Sequence, residues 1–282
     1  MKTIEERFEE VASYIDLIDN FTMLIMLFAF MAIVYDIVRK KHRSYKEVGA
    51  NVAIGMGNVL LNTTAYGLIF IVTLYIAESI ALWHIPINVL TWVVAIVLAD
   101  LSYYWMHRME HKVRFLWAIH SVHHSSTEFD LTTGLRLAWA EGLFEWVFFI
   151  PMVLVGFDTV QVVVSVVAVV AYQTWIHTEY IGKLGYLDSV FNTPSVHRVH
   201  HGSNPQYIDK NFGGILMLWD KLFGTYQAEE EKVTYGLMSN INTSNPIKIN
   251  FYEWREMFKE MATVESLKCK WNYMIKPPGW RR

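Results

Sequence analysis

Five long apolar blocks constrain this chain more than any other feature. They are residues 21–38 (FTMLIMLFAFMAIVYDIV), a second run that starts near 58 and ends in AYGLIFIVTLYIAESIALW (65–83), then 85–106, 137–157 and 159–176. Each approaches the roughly 20 residues needed to cross a hydrocarbon core about 30 Å thick. The composition agrees: 53% of the residues are hydrophobic and 18% charged. The blocks predict an all-α integral membrane protein with about four to five transmembrane helices. The first block is not expected to be a signal peptide, because twenty mostly acidic or polar residues precede it and no small-residue cleavage site follows.

Basic residues orient the spans. Arg39, Lys40, Lys41, Arg43 and Lys46 crowd the end of the first block, which predicts that end to be cytoplasmic. Counting onward places the WHIPIN link (83–88) outside and HRMEH (107–111) inside, followed by a hairpin around GFDT (156–159). Five spans with the N-terminus out and the C-terminus in is the expected topology; four spans with one pair half-embedded is the alternative. The polar, turn-rich stretch after residue 182 reads as a cytosolic cap. The expected organisation is an N-terminal helix with two spans at 1–94, a histidine-bearing core at 95–252 and a cytosolic tail at 253–282.

The net charge of −3 and the lack of a basic arm give no footing for nucleic acid. A single cysteine, Cys269, leaves no disulfide framework and no thiolate metal cage. Any metal site must use histidine and carboxylate.

Nine of the eleven histidines lie between 107 and 201. His107 and His111 are four apart, on one helix face. His120, His123 and His124 form H-x2-H-H, which one helical turn can aim at one point, and His197, His200 and His201 repeat that pattern. His177 stands alone where the last block ends. His42 and His84 read as ordinary polar residues. A cluster of protonated imidazoles near an apolar boundary would repel itself, whereas metal coordination gives each ring a partner. A single catalytic zinc takes about three protein ligands, so eight or nine imidazoles suit two metals. Imidazole serves zinc, copper, iron and nickel alike, so spacing does not name the element.

HRMEH also reads as H-x-x-E-H, the inverted zinc-peptidase motif. That reading leaves six or seven histidines unexplained, and on a helix Glu110 points about 100° away from His111. Glu110 is therefore expected on the surface or behind a ligand. Asp100 lies on the stripe of His107, about 10 Å deeper at 1.5 Å per residue. An ionisable group at membrane depth usually faces an interior, so Asp100 is a candidate to orient a histidine or anchor the helix. Glu141 and Glu145, four apart with Arg136 nearby, either line a substrate cavity or pair with basic groups.

The three boxes HRMEH, HSVHH and HRVHH resemble the fatty acid hydroxylase / sterol desaturase superfamily. The runs LADLSYYWMHRMEH, HSVHHSSTEFDLTTGLR and NTPSVHRVHHGSNPQYIDKNFGGILMLWDKLFGTY look most like its alkylglycerol monooxygenase branch, over roughly residues 95–252. The resemblance implies a di-iron centre facing the cytosol, with His107, His111, His120, His123, His124, His197, His200 and His201 as ligands and His177 as a ninth. It implies molecular oxygen, a lipid with a long alkyl chain, and an electron donor, tetrahydrobiopterin in the alkylglycerol branch. It implies an inner or plasma membrane in a bacterium and the endoplasmic reticulum in a eukaryote. Many members read TPSHHRVHH where this chain has Val196 before His197, which leaves the H-x2-H-H core intact. Hydroxylation or desaturation of a fatty acid, sterol or carotenoid is the alternative within the same chemistry. A membrane metal transporter would instead spread its ligands through the spans at mid-membrane, and a zinc hydrolase would need fewer of them.

Overall fold

The computed structural model describes residues 44–281 together with Leu27, Met31, Val34 and Tyr35. Apart from those four, the apolar block at 21–38 and most of the basic cluster after it therefore lie outside the described residues. Among the described residues the fold is helical, with two isolated bridges and no strand.

Helix α1 (Tyr45–Leu61) starts where the Ser44 side chain accepts a hydrogen bond from Glu47 N, satisfying one of the free amides of a first turn. It passes through one π turn at Asn62–Tyr66 into α2 (Gly67–Glu78), so a single rod of 34 residues begins well before residue 58. Helix α3 (Val89–Lys112) opens on a reciprocal capping box between Asn88 and Thr91 and runs through HRMEH. Both rods are long and apolar enough to cross a bilayer. Their outward residues, among them Leu68, Ile76, Val89, Leu90 and Val93, remain exposed.

The block at 137–157 is not one helix. Tight turns at Glu141–Leu143 and Glu145–Phe148 lead into the short α5 (Ile150–Leu154). The cause lies within the run: Glu141, Gly142 and Glu145 interrupt it, and Pro151 lacks the amide that would continue a ladder through its own position. Asp158 then caps α6 (Thr159–Tyr172), which packs along α3. Leu82 N donates to Leu154 O at 3.1 Å and Ile85 N to Gly156 O at 2.8 Å. These bonds hold the tips of the two apolar hairpins at one depth. Between them lies the largest apolar core, built on Leu74, Ala95, Ala99, Phe149, Val153 and Val162.

The opposite end of α3 carries the polar half. α4 (Arg114–His124) follows after a single extended residue, Val113, and folds back against α3. α7 (Pro194–His200) starts with proline in its first turn, where no amide is required. The short α8 (Leu218–Leu222), α9 (Pro246–Ala262) and α10 (Leu267–Ile275) complete the cap.

Candidate metal centre

Four elements converge at the end of α3. The helix brings His107 and His111 from one face, α4 brings His120, His123 and His124, and α7 brings His197, His200 and His201. His177 follows the 3-10 turn that ends α6. All nine are buried. They divide into two groups: His107, His111, His120, His124 and His200 form one, and His123, His177, His197 and His201 form the other. Within each group one ligand atom per residue lies within 4.8 Å of all the rest. The H-x2-H-H boxes split between the groups, because i and i+4 on α4 face one centre while i+3 faces the other.

The nitrogens meet head to head. In the first group His120 Nε2 stands 3.0 Å from His107 Nε2 and 3.2 Å from His124 Nε2. In the second, His197 Nε2 stands 2.9 Å from His177 Nε2 and 3.1 Å from His201 Nε2, and His123 Nε2 is 3.2 Å from His177 Nε2. The Nε2 atoms of His107, His177 and His200 carry lone pairs, because the other ring nitrogen already donates. His107 Nδ1 donates to Phe212 O at 3.0 Å, His177 Nδ1 to Gln173 O at 3.1 Å, and His200 Nδ1 to Lys210 O at 2.9 Å. The Nε2 atoms of His111 and His200 are buried without a hydrogen-bond partner. Lone pairs facing one another are unfavourable unless a cation sits between them. Two nitrogens bound at right angles to an ion, each about 2.1 Å away, stand about 3 Å apart, so the spacing fits a metal with imidazole ligands.

Burial, reinforced by the neighbouring rings, holds His120, His124, His197 and His201 well below the ordinary imidazole range. Burial lowers His177 to about 4. These histidines are therefore neutral at physiological pH, the form able to bind a metal.

The supporting contacts were mostly absent from the sequence reading. Asp209 Oδ1 lies 3.5 Å from His111 Nδ1, and Asp209 also pairs with Lys112. Burial pushes the Asp209 carboxyl up, but the hydrogen bonds from His111 and Lys112 outweigh it and bring it to about 2. The segment 209–212 thus orients three histidines of the first group, through Asp209, Lys210 O and Phe212 O. It does so with left-handed backbone at Asp209 and Asn211, both at φ 59°. The fully buried Asn211 fixes that turn by donating to Val196 O and Gln227 O and accepting from Gln227 N. A sequence offers little warning of this beyond a polar DKN run flanked by apolar residues.

Glu110 is buried, not on the surface, with Oε2 3.3 Å from His120 Nδ1 but off the direction of a hydrogen bond. The 100° offset from His111 holds, yet α4 folds back on that side and meets it. Asp100 accepts from Ile215 N at 2.7 Å, Leu216 N at 3.0 Å and Trp219 Nε1 at 2.9 Å. Its partners are the cap loop and α8, not a histidine. Gly214 makes that approach possible, since a Cβ there would stand 2.9 Å from Asp100 Oδ1. Arg136 does not pair with Glu141 or Glu145. It donates to Glu47, Asn51, Ser125 and Val122 O, tying α1 to the end of α4. Glu141 Oε2 is buried without a partner, and Glu110, Glu141 and Glu145 share one electrostatic neighbourhood around Tyr103. Val196, beside His197, is buried and lends its carbonyl to Asn211. A cavity bordered by His111, Trp117, His124, His200, Asp209 and Met238 opens onto the first histidine group.

Comparison with known proteins bears on this arrangement. The family model for fatty acid hydroxylase matches residues 92–225, a range that contains all nine histidines. The chain is 42% identical over 208 residues to the alkylglycerol monooxygenase of Homo sapiens, covering 73% of this chain and 46% of that protein. It is 32% identical over 136 residues to the ornithine lipid hydroxylase OlsE of Rhizobium tropici, covering 48% of this chain and 41% of that protein. It is 26% identical over 146 residues to a Delta(7)-sterol 5(6)-desaturase of Leptosphaeria maculans, covering 49% and 37%. The chain spans about half the length of the curated relatives it matches. No solved structure matches it significantly.

Proposed function

Residues 92–225 belong to the fatty acid hydroxylase family, and from that premise we propose that the protein is a membrane-bound di-iron monooxygenase acting on the alkyl chain of a lipid. The observation that carries the proposal is the pair of buried imidazole groups, five and four strong, in which one ring nitrogen per residue lies within 4.8 Å of all the rest of its group. The likeness to alkylglycerol monooxygenase favours an ether lipid. Replacing C–H by C–OH consumes one O2, two electrons and two protons and releases one water. On the carbon beside an ether oxygen the product is a hemiacetal, which parts into a fatty aldehyde and a glycerol derivative.

His107, His111, His120, His124 and His200 would hold one iron and His123, His177, His197 and His201 the other. Iron there would supply the electron transfer that reduces O2 and the oxidising power directed at the C–H bond. The rest falls to the chain. The carbonyls of Phe212, Gln173 and Lys210, with Asp209, fix the ring orientations. Asp100 locks the cap loop onto α3. The apolar hairpins would give an alkyl chain a path from the bilayer to the histidines, and Glu141, whose Oε2 is buried without a partner, would line it. The cavity beside Trp117 and Asp209 lies at the end of α3 remote from the hairpin tips, which suits entry of a water-soluble donor such as tetrahydrobiopterin. The hydrogen-bonded tips support reading both hairpins as crossing together, with the histidine end cytosolic.

Purified protein loaded with iron tests this. Given an alkylglycerol, O2 and tetrahydrobiopterin, it should release fatty aldehyde. Hydroxylated product without ether cleavage would move the substrate to another lipid, and no O2-dependent product from any lipid class would refute the oxidation.

A further inference from the structure

Helix α9 presents three faces, and only one of them packs inward. At about 100° per residue, Ile249, Asn250, Glu253 and Met257 share the inner face. Ile249, Asn250 and Met257 are buried, and Glu253 pairs with the buried Arg114. A quarter turn away, Ile247, Phe251 and Phe258 are 60%, 55% and 54% exposed, with Trp254 completing the row. A further quarter turn brings Lys248, Arg255 and Lys259 along its border. The order around the helix is core, exposed apolar, basic. A helix in contact only with core and water needs no exposed aromatic row. Helix α10 repeats the pattern: Leu267, Trp271 and Ile275 at i, i+4 and i+8 are exposed, while Tyr273 is buried.

The row continues an apolar surface already described. The Phe251 ring lies 6.3 Å from that of Trp139, whose Nε1 donates to Ile54 O on α1. On that rod Met56, Val59 and Leu60 are exposed, where its apolar run toward α2 begins. The basic border is a local feature, since the chain as a whole carries −3. Arg114 engages Glu253 and Glu260, and Arg255 and Lys259 share the single carboxylate of Glu256, so that trio keeps a net positive charge beside Lys248.

We propose that α9 lies flat in the membrane interface and grips an anionic lipid surface. Ile247, Phe251 and Phe258 enter the boundary between headgroups and acyl chains. Lys248, Arg255 and Lys259 lay their stems along it and place their charges among the phosphates. Trp254 packs on Phe115 of α4, with ring centroids 5.0 Å apart. The anchor therefore fixes the depth of the helix that carries His120, His123 and His124. The inference rests on the membrane placement of the hairpins.

Lipid-quenching fluorescence on the full chain in nanodiscs containing anionic lipid tests it. Single cysteines replace Phe258, Leu68 or Lys232 in a Cys269→Ser background and carry an environment-sensitive dye. The expected result is several-fold stronger quenching by headgroup-proximal spin-labelled lipid at 258 than at 232, with 68 quenched by mid-chain label. Gln at Lys248, Arg255 and Lys259 together should lower the quenching at 258 by about two-fold or more. Quenching at 258 no stronger than at 232, while 68 is quenched, overturns the proposal. If the dye at 258 is then also shielded from water, a protein or a second copy covers the row instead. Loss of quenching at 68 as well overturns the membrane placement together with the proposal.

Discussion

Asp209 Oδ1 stands 3.5 Å from His111 Nδ1, while His111 Nε2 is buried without a hydrogen-bond partner. A carboxylate placed there sets the tautomer and raises the basicity of Nε2, the nitrogen it leaves free. Removing such a partner typically costs 10–100-fold in metal affinity. Asp209→Ala should weaken the first site by roughly that factor and leave the four-histidine site unchanged. Chelator competition should then show two separated phases; coincident wild-type-like phases would remove Asp209 from the site.

Asp100 collects three donors at the junction of α3 with the cap. Leaving buried donors unsatisfied costs about 1–3 kcal/mol each. Asp100→Ala should therefore destabilise the protein by on the order of 3 kcal/mol or more and lower the occupancy of both metal groups together. Thermal unfolding in detergent, read beside metal content, distinguishes this from Asp209→Ala. A stable variant missing only one metal would contradict the anchoring role.

Stability of the metal-free protein should depend on acid in a definite direction. Burial lowers the imidazoles in the fold, His177 to about 4, while an unfolded imidazole titrates near 6.5. Below about pH 6.5 the unfolded chain binds protons that the fold cannot. Stability is therefore full above that value and falls as the pH drops toward about 4. Melting temperature of chelator-stripped protein should decline across this window. An unchanged melting temperature there would mean that the rings are not buried in the metal-free state.

The legible part of this protein was its periodic part. The i, i+4 and i, i+3, i+4 spacings of the histidines required only that their segments be helical, and α3, α4 and α7 satisfy that. Apolar length located α2, α3 and α6. The block at 137–157 misled because composition does not register where Glu141, Gly142, Glu145 and Pro151 fall within it. Glu110 is legible as a surface residue or one behind a ligand, but not as which of the two, because its neighbour His120 arrives only through the reversal at Val113. Asp209 and Asn211 depend on a left-handed turn and contacts about 100 residues away in sequence. The sequence puts Asp100 two turns before His107 on α3 without revealing that its partners are Ile215, Leu216 and Trp219.

Metal content of the purified chain, prepared without chelators, tests the central claim most directly. Close to two irons per chain are expected, falling to about one in His197→Ala, whose Nε2 meets His177 and His201 of the second group. A single ion per chain in active protein, unchanged by His197→Ala, would contradict the two-centre reading.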